Sequence, residues 1–323
     1  MKNIRIAAAQ FEGRNGDKDH NLAVMESLVQ KADDQEAQVI SFHEVCIPNY
    51  TFMRRCSKDE LLQLAEPVPD GPSVRRLMSM SSAHGVAILA GLLEIAGDKL
   101  YNTYVCVDGD QFVAMHRKIH VFINPHISSG DQFSTFALRG WQCSILTCYD
   151  NNIPENVREV ALMGADIVFM PHVTCCLEWR IPGAGAVDRR LWENRHEDPV
   201  SLRLEFMSLK AREWLLKWVP ARAYDNGVYV VFTNPVGVDD DQIRNGNAMI
   251  LDPYGDVLAE TWKAGNEMVV ADLDASVRRM CTGVRWIRSR RPELYPSLAQ
   301  ATGRERDTRY MRFSREDTGL PES

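Results

Sequence analysis

Three polar side chains in this chain each stand at the end of an apolar run that reads as a β-strand, and together they form a chemically coherent set. Glu44 follows Val39 to Phe42 (VISF) across His43, Lys118 follows Gln111 to His116 across Arg117, and Cys148 closes Gln142 to Cys148 (QCSILTC). In open α/β architectures the C-terminal ends of strands line the ligand crevice, so three such ends can meet despite their separation in sequence. A thiol attacks as its thiolate, and a nearby ammonium together with the start of a helix at Pro154 would stabilise that charge. A carboxylate could take the thiol proton, pass it to a leaving amine and then activate water against the resulting thioester. Lys118 would neutralise charge developing on a carbonyl oxygen. This assigns Cys148 as nucleophile, Glu44 as general base and Lys118 as electrostatic clamp. Taken singly, each residue type is more often structural or solvated; the joint pattern carries the reading.

The elements that must position these groups follow from periodicity. Ile4 to Phe11 reads as a buried strand, and Asn21 to Ala32 places Leu22, Met25, Leu28, Val29 and Ala32 at helical spacing, so Glu44 ends a β-α-β unit. Ser73 to Ser82 is amphipathic and stops before Gly85. Val86 to Glu94, Tyr101 to Val107 and Gln111 to His116 read as consecutive strands, the last two joined by the turn Asp108-Gly109-Asp110. Pro154 opens a helical pattern closing near Gly164, and Ala165 to Met170 returns as a strand, which places Cys148 at the crossing of a second β-α-β unit. Gly227 to Thr233, Ala248 to Leu251 and Asp256 to Glu260 are further strands. Between residues 174 and 218 a Gly/Pro/Ala stretch (182 to 186), a charged segment and a helix from Pro199 to Trp218 form an insertion on the same domain. We assign residues 1–277 to that domain and 278–323 to an Arg- and Pro-rich, weakly periodic extension that reads as extended and oligomer-contacting.

Bulk properties narrow the partners. A chain of 323 residues that is 45% hydrophobic can bury a large core, and its formal net charge of −7 weighs against nucleic acid or an anionic membrane as partner. No basic segment followed by a long apolar stretch opens the sequence, and no run approaches a membrane span, so a cytoplasmic protein acting on a small molecule is expected. Eight cysteines are too sparse for a disulfide scaffold at this size. Cys175-Cys176 lacks the spacing of a zinc pair and no second pair follows, so no metal site is expected.

The ordered blocks resemble the nitrilase (carbon–nitrogen hydrolase) superfamily. They are His43-Glu44, Gly91-Leu92-Leu93-Glu94, Leu100-Tyr101-Asn102, His116-Arg117-Lys118-Ile119-His120, and Cys148 to Glu155 (CYDNNIPE). Later blocks are Arg222-Ala223 with Asn226, Asn234, and Gly246 to Gly255 (GNAMILDPYG). The similarity spans about residues 4 to 275, and the order of the blocks makes it specific. It implies an α-β-β-α sandwich, a Glu-Lys-Cys triad, no metal or organic cofactor, and assembly into an αββα-αββα homodimer or larger oligomer. The Tyr149-Asp150 pair after the cysteine is more similar to amidase branches than to true nitrilases, so a small linear amide or N-carbamoyl amine is the expected substrate.

Two departures stand out. Members of the superfamily usually carry a second glutamate between lysine and cysteine, but residues 119 to 147 contain none; His126 or Asp131 could take its place. Many relatives also have an arginine four positions after the cysteine, near substrate carboxylates, where this chain has Asn152, so a carboxylate at that spot is not expected. Tyr50, Tyr149, Asn152, His126 and His172 are candidates for the substrate wall, with Glu94 and Asp131 as supports; Glu94 could pair with Lys118 or simply cap a strand. Trp179, Trp192, Trp214 and Trp218 could shape a lid, or hold the inserted helix to the domain. Nitrile hydrolysis and a catalytically weak binding or scaffold role are the alternatives to amide hydrolysis.

Overall fold

The computed structural model describes residues 2–177 and 185–313. Two β-sheets lie face to face and each is covered on its outer side by helices, which gives the expected α-β-β-α sandwich. The first sheet contains β1 (Ile4–Gln10), β2 (Val39–Ser41), β3 (Ala87–Ala96), β4 (Lys99–Asp108), β5 (Gln111–Arg117) and β15 (Glu267–Leu273), in the order β15-β1-β2-β3-β4-β5, with the short β6 (Ile127–Ser128) paired to β4. The second contains β7 (Thr135–Leu138), β8 (Trp141–Ile145), β9 (Ile167–Pro171), β10 (Tyr229–Thr233), β13 (Met249–Leu251) and β14 (Val257–Glu260), in the order β14-β13-β10-β9-β8-β7. A hairpin of β11 (Val236–Asp239) and β12 (Gln242–Asn245) stands apart from both.

Near-continuous apolar strands are what a sheet buried on both faces requires, and the side-chain period of two sorts them into separate cores. In β1, Ile4, Ile6 and Ala8 point between the sheets, while Ala7 and Ala9 point under helices. In β9 and β10, Ile167, Phe169, Tyr229 and Val231 join the inter-sheet layer, while Val168, Met170, Val230 and Phe232 face outward. Helices α1 (Lys18–Asp34) and α3 (Pro72–His84) cover the first sheet through Met25, Leu28, Val29 and Leu77. The second is covered by α5 (Pro154–Leu162) and α8 (Arg212–Asn226) through Val157, Val160, Leu215 and Val219. Each fully buried side chain of this size contributes roughly 1.5–3 kcal/mol, so the three apolar layers outweigh local preferences in setting the fold.

The strands that matter for the site are parallel. β1, β2 and β3 run side by side in one direction, as do β8, β9 and β10, so each β-α-β unit brings its strand ends to one edge. Around them are α2 (Lys58–Leu64), the single turn α4 (Tyr149–Asn152), and α6 (Arg189–Glu193) and α7 (Pro199–Met207) of the insertion. The C-terminal part adds α9 (Val277–Met280), α10 (Thr282–Arg288) and α11 (Thr308–Phe313). Among the described residues no helix is long and apolar enough to cross a membrane.

The structure corrects the sequence reading at three places. The helix expected from Pro199 to Trp218 is two helices: Ser208 turns extended, its hydroxyl bonds the Glu205 carbonyl at 2.8 Å, and α8 restarts and runs on to Asn226, where Gly227 ends it at φ 60°. The strand before Cys148 stops at Ile145, and the helix that begins at the cysteine is α4, ahead of α5. The segment after Arg278 is partly helical, with α10 packed on α8 through Tyr224 and Trp286, ring centroids 5.4 Å apart. Gly283 permits this packing, since a Cβ there would lie 2.2 Å from the Gly227 nitrogen. Trp192 is buried in the outer core of the second sheet, and Trp214 and Trp218 stack edge-on at 5.5 Å against it, which ties the insertion to the domain. Trp179 and residues 182–184 lie outside the described residues.

Candidate active site

Glu44 lies on the loop after β2. That loop rests directly on β3 because residue 91 is glycine: a Cβ there would meet the Val45 nitrogen at 2.2 Å, and the Ile47 N–H donates to the Gly91 carbonyl at 3.1 Å. Lys118 follows β5, its N–H donating to the Asn102 carbonyl at 2.8 Å. The Lys118 Nζ donates to Glu44 Oε1 at 2.6 Å, and both side chains are fully buried. Asn102 Nδ2 donates to the same oxygen at 2.6 Å, while Glu44 Oε2 has no hydrogen-bond partner. Burial opposes the charge on Lys118, but the Glu44 carboxylate foremost holds its pKa well above the ordinary lysine range.

Cys148 sits on a sharp strand-to-helix turn at φ 51° and ψ −106°, a conformation that costs on the order of 1–3 kcal/mol for a residue with a Cβ. The turn is held on both sides. The Cys148 N–H donates to the Pro171 carbonyl at 2.8 Å, the Asn151 N–H donates to the Cys148 carbonyl at 2.9 Å, and Asn151 Nδ2 donates to the Leu146 carbonyl at 2.6 Å. The sulfur lies 3.9 Å from the Val173 carbonyl. Burial, reinforced by the Glu44 charge, pushes the Cys148 thiol up to about 12 against the opposing pull of Lys118. The sequence reading expected the ammonium and a helix start to stabilise a thiolate here; in the folded site burial and the Glu44 charge oppose it.

Asp150 is a residue the sequence reading left without a role. Its carboxylate receives His116 Nε2 at 3.1 Å, His120 Nδ1 at 2.8 Å, and the backbone N–H groups of His120 at 2.8 Å, Thr147 at 3.2 Å and Ile119 at 3.3 Å. Burial alone would raise its pKa, but the hydrogen bonds of His116 and His120 outweigh it and hold the carboxyl well below the usual carboxylate range. A depressed folded value means that its stabilisation is present above the unfolded value of about 3.9 and is lost only as pH falls through the lower folded one. Asp150 thereby ties the strand end carrying Lys118 to the turn carrying Cys148. Asp150→Asn should destabilise the fold by roughly 3–5 kcal/mol, because several buried donors lose their acceptor, and should lower kcat at least about tenfold. Denaturant melts and steady-state rates check this; a wild-type kcat in a destabilised variant would make Asp150 structural only. The two histidines flanking Lys118 at alternate positions were the signal in the sequence.

The other candidates divide. Tyr50 is buried 5.5 Å from Lys118 Nζ with its hydroxyl unpartnered, so it lines the site. Phe122, not singled out from sequence, presents its ring 4.7 Å from the same ammonium. Tyr149 is half-buried, its ring 5.9 Å from that of Phe122. Asn152 gives its carbonyl to Arg222 Nη2 at 2.9 Å. His172 is buried against the cysteine turn, with Nε2 3.1 Å from Asn151 Nδ2 and its ring 4.8 Å from Phe232, and burial lowers its pKa. His126 and Asp131 are exposed, and neither takes the place of a second glutamate beside Lys118. Glu94 pairs with Arg117 at 2.6 Å and accepts from Thr103 Oγ1 at 2.6 Å, because the strand period turns Arg117 to the face opposite Lys118. Among the described residues Glu44 is the one carboxylate bonded to Lys118.

A clamp from distant sequence holds the loop after Glu44. Arg244 on β12 donates to Asp239 Oδ2 at 2.9 Å, to Thr51 Oγ1 at 2.8 Å and to the Cys175 carbonyl at 2.9 Å, and Thr51 Oγ1 bonds Asp239. Arg54 and Arg55 reach Asp240 on the same hairpin. Tyr50 is thereby fixed next to Lys118.

A carboxylate, an ammonium and a thiol are thus brought together, with Glu44 paired to Lys118 and the charges of both acting on Cys148. The Carbon-nitrogen hydrolase family model matches residues 5–281, and the chain belongs to that family; it is a carbon–nitrogen hydrolase. It is 27% identical over 274 residues to a nitrilase of Pyrococcus abyssi, covering 84% of this chain and 90% of the relative. It is 27% identical to an (R)-stereoselective amidase of Pseudomonas sp., covering 84% and 85%, and 25% identical to an N-carbamoylputrescine amidase of Solanum lycopersicum, covering 93% and 96%. Among solved structures, the fold is similar to the amidase of Nesterenkonia sp. AN1, with a TM-score of 0.67, 21% identity, and coverage of 91% of this chain and 97% of that one.

Proposed function

We propose that this carbon–nitrogen hydrolase is a thiol amidase that cleaves a small linear amide or N-carbamoyl amine through a thioester on Cys148. The observation that carries the reading is the buried Glu44–Lys118 pair beside the strained Cys148 turn, with one Glu44 oxygen held by Lys118 and Asn102 and the other unpartnered. Glu44 Oε2 takes the thiol proton as the sulfur attacks the carbonyl carbon, and Lys118 stabilises the oxyanion. Collapse of the tetrahedral adduct breaks the carbon–nitrogen bond, and the proton on Glu44 leaves with the amine. Glu44 then deprotonates water, which releases the acid and restores the thiol. Relatives named amidases and the Tyr149-Asp150 pair favour amides over nitriles. A homodimer formed through the sheet-covering helices fits the exposed Leu162 and Met163 at the end of α5.

The test is a panel of small amides, N-carbamoyl amines and their nitrile counterparts, read as ammonia release, with acid quench and mass analysis of the Cys148 peptide. The expected result is ammonia from an amide or carbamoyl compound and an acyl mass on Cys148 during turnover. Consumption of a nitrile in preference to its amide would shift the reading to nitrilase, and no turnover of any class would favour a binding role.

A further inference from the structure

Tyr50 is fixed on both sides while its hydroxyl is left unpaired. Its ring belongs to an apolar cluster with Met53, Leu93, Val121 and Val173, and the ring centre lies 5.5 Å from the Lys118 Nζ. The Val173 carbonyl is in turn 3.9 Å from the Cys148 sulfur. Before the tyrosine, Asn49 Nδ2 donates to Asn15 Oδ1 at 2.8 Å; after it, the Thr51 N–H donates to Asp239 Oδ1 at 3.3 Å. Yet the phenol oxygen, enclosed with the rest of the side chain, has no hydrogen-bond partner.

A buried hydroxyl without a partner costs free energy, and phenylalanine would fill the same apolar cluster without that cost. The polar end therefore calls for a partner that arrives with the substrate. After burial, the charges that act on this hydroxyl are those of Glu44, Lys118 and Cys148, the three reacting groups. Burial foremost, aided by the Glu44 charge, holds its pKa well above the ordinary tyrosine range, so the phenol stays protonated and can donate but not act as a base. The negative charge that develops beside Lys118 and Cys148 during attack is on the carbonyl oxygen. Lys118 already gives one N–H to Glu44 Oε1, and the neighbouring phenol supplies a second donor to that region.

We propose that Tyr50 is a catalytic residue whose hydroxyl donates a hydrogen bond to the substrate's carbonyl oxygen as that oxygen becomes an oxyanion, alongside Lys118. The inference deepens the amidase reading and rests on it, but it can be tested without turnover, because an aldehyde places the same oxygen on the same sulfur. When butyraldehyde adds to Cys148, a carbon–sulfur bond forms, the carbonyl π bond opens and the thiol proton passes to the oxygen. Methyl methanethiosulfonate instead transfers its methylthio group to the sulfur and releases methanesulfinate, the thiol proton passing to solvent, and no carbonyl takes part.

With full-length protein and peptide mapping, the butyraldehyde concentration that half-protects Cys148 from methyl methanethiosulfonate should rise about tenfold in Tyr50→Phe, the scale of one lost hydrogen bond. The rate of modification without aldehyde should stay as in wild type. Tyr50→Phe should melt at or above the wild-type temperature, because no hydrogen bond within the protein is lost. On any accepted amide kcat should fall about a hundredfold with KM little changed, as expected for a contact made in the transition state. Equal protection by butyraldehyde in the two proteins, or none in either, overturns the inference, and a lowered melting temperature with unchanged protection makes the hydroxyl structural only. Amide turnover with equal kcat in both proteins would remove the donor alone; weaker aldehyde binding in Tyr50→Phe without any amide turnover by wild type would keep the donor and remove the amidase reading.

Discussion

Replacing Cys148 with alanine is expected to reduce ammonia release from every accepted amide to background, a loss of roughly a millionfold if this nucleophile behaves like those of other covalent hydrolases. In the proposed mechanism this sulfur carries the acyl group, and its neighbours in sequence are placed elsewhere: Cys175 and Cys176 belong to the apolar core on the outer face of the second sheet, whereas Cys148 lies beside Glu44 and Lys118. The fold should survive. The hydrogen bonds that hold the turn run through the Cys148 backbone and through Asn151, and the Glu44–Lys118–Asn102 cluster does not depend on the sulfur. A change of about 1 kcal/mol, a few degrees in Tm, is the expected cost of the small cavity. Turnover by a well-folded Cys148→Ala protein would remove the covalent mechanism, and melting curves recorded on the same sample separate this from misfolding.

Lys118→Met should lower kcat by about a hundredfold to a thousandfold, the range found when one preorganised oxyanion donor is lost. It should also destabilise the protein by about 3–5 kcal/mol at neutral pH, since Glu44 then remains as an unpaired buried carboxylate. The double variant Glu44→Gln/Lys118→Met should recover much of the lost stability and none of the activity. If both single variants were as stable as wild type, the pair would not be the buried couple described above; if the lysine variant kept its kcat, the clamp would have to be assigned elsewhere.

Much of this site is legible in the sequence because strand ends are. The apolar runs before Glu44, Lys118 and Cys148 mark each as following a strand, two on the first sheet and one on the second, and the order of the blocks supplies the rest. The side chains that fix these groups are harder to read. Asn102 and Asp150 act through hydrogen bonds between segments 30 to 58 residues apart, and only the folded register shows which oxygen meets which donor. Glu94 was ambiguous for the same reason: it faces Arg117 or Lys118 according to the parity of the strand, and the parity favours Arg117. His126 and Asp131 were named by position along the chain, but the loop around β6 leaves both in solvent. The return of α11 to Phe122, where Arg309 Nη1 meets the Phe122 carbonyl, leaves no periodic trace in a segment this short.

The β11–β12 hairpin carries no reacting group, yet through Arg244 it grips both the threonine beside Tyr50 and the backbone two residues beyond the carbonyl that faces the sulfur. The loop that carries Tyr50 is thus held from a ribbon outside both sheets. On the amidase reading proposed above, changes of length or shape in that ribbon would move the tyrosine ring while thiol, carboxylate and ammonium stay where the two β-α-β units put them, so substrate range and bond-breaking machinery would be open to separate evolutionary adjustment.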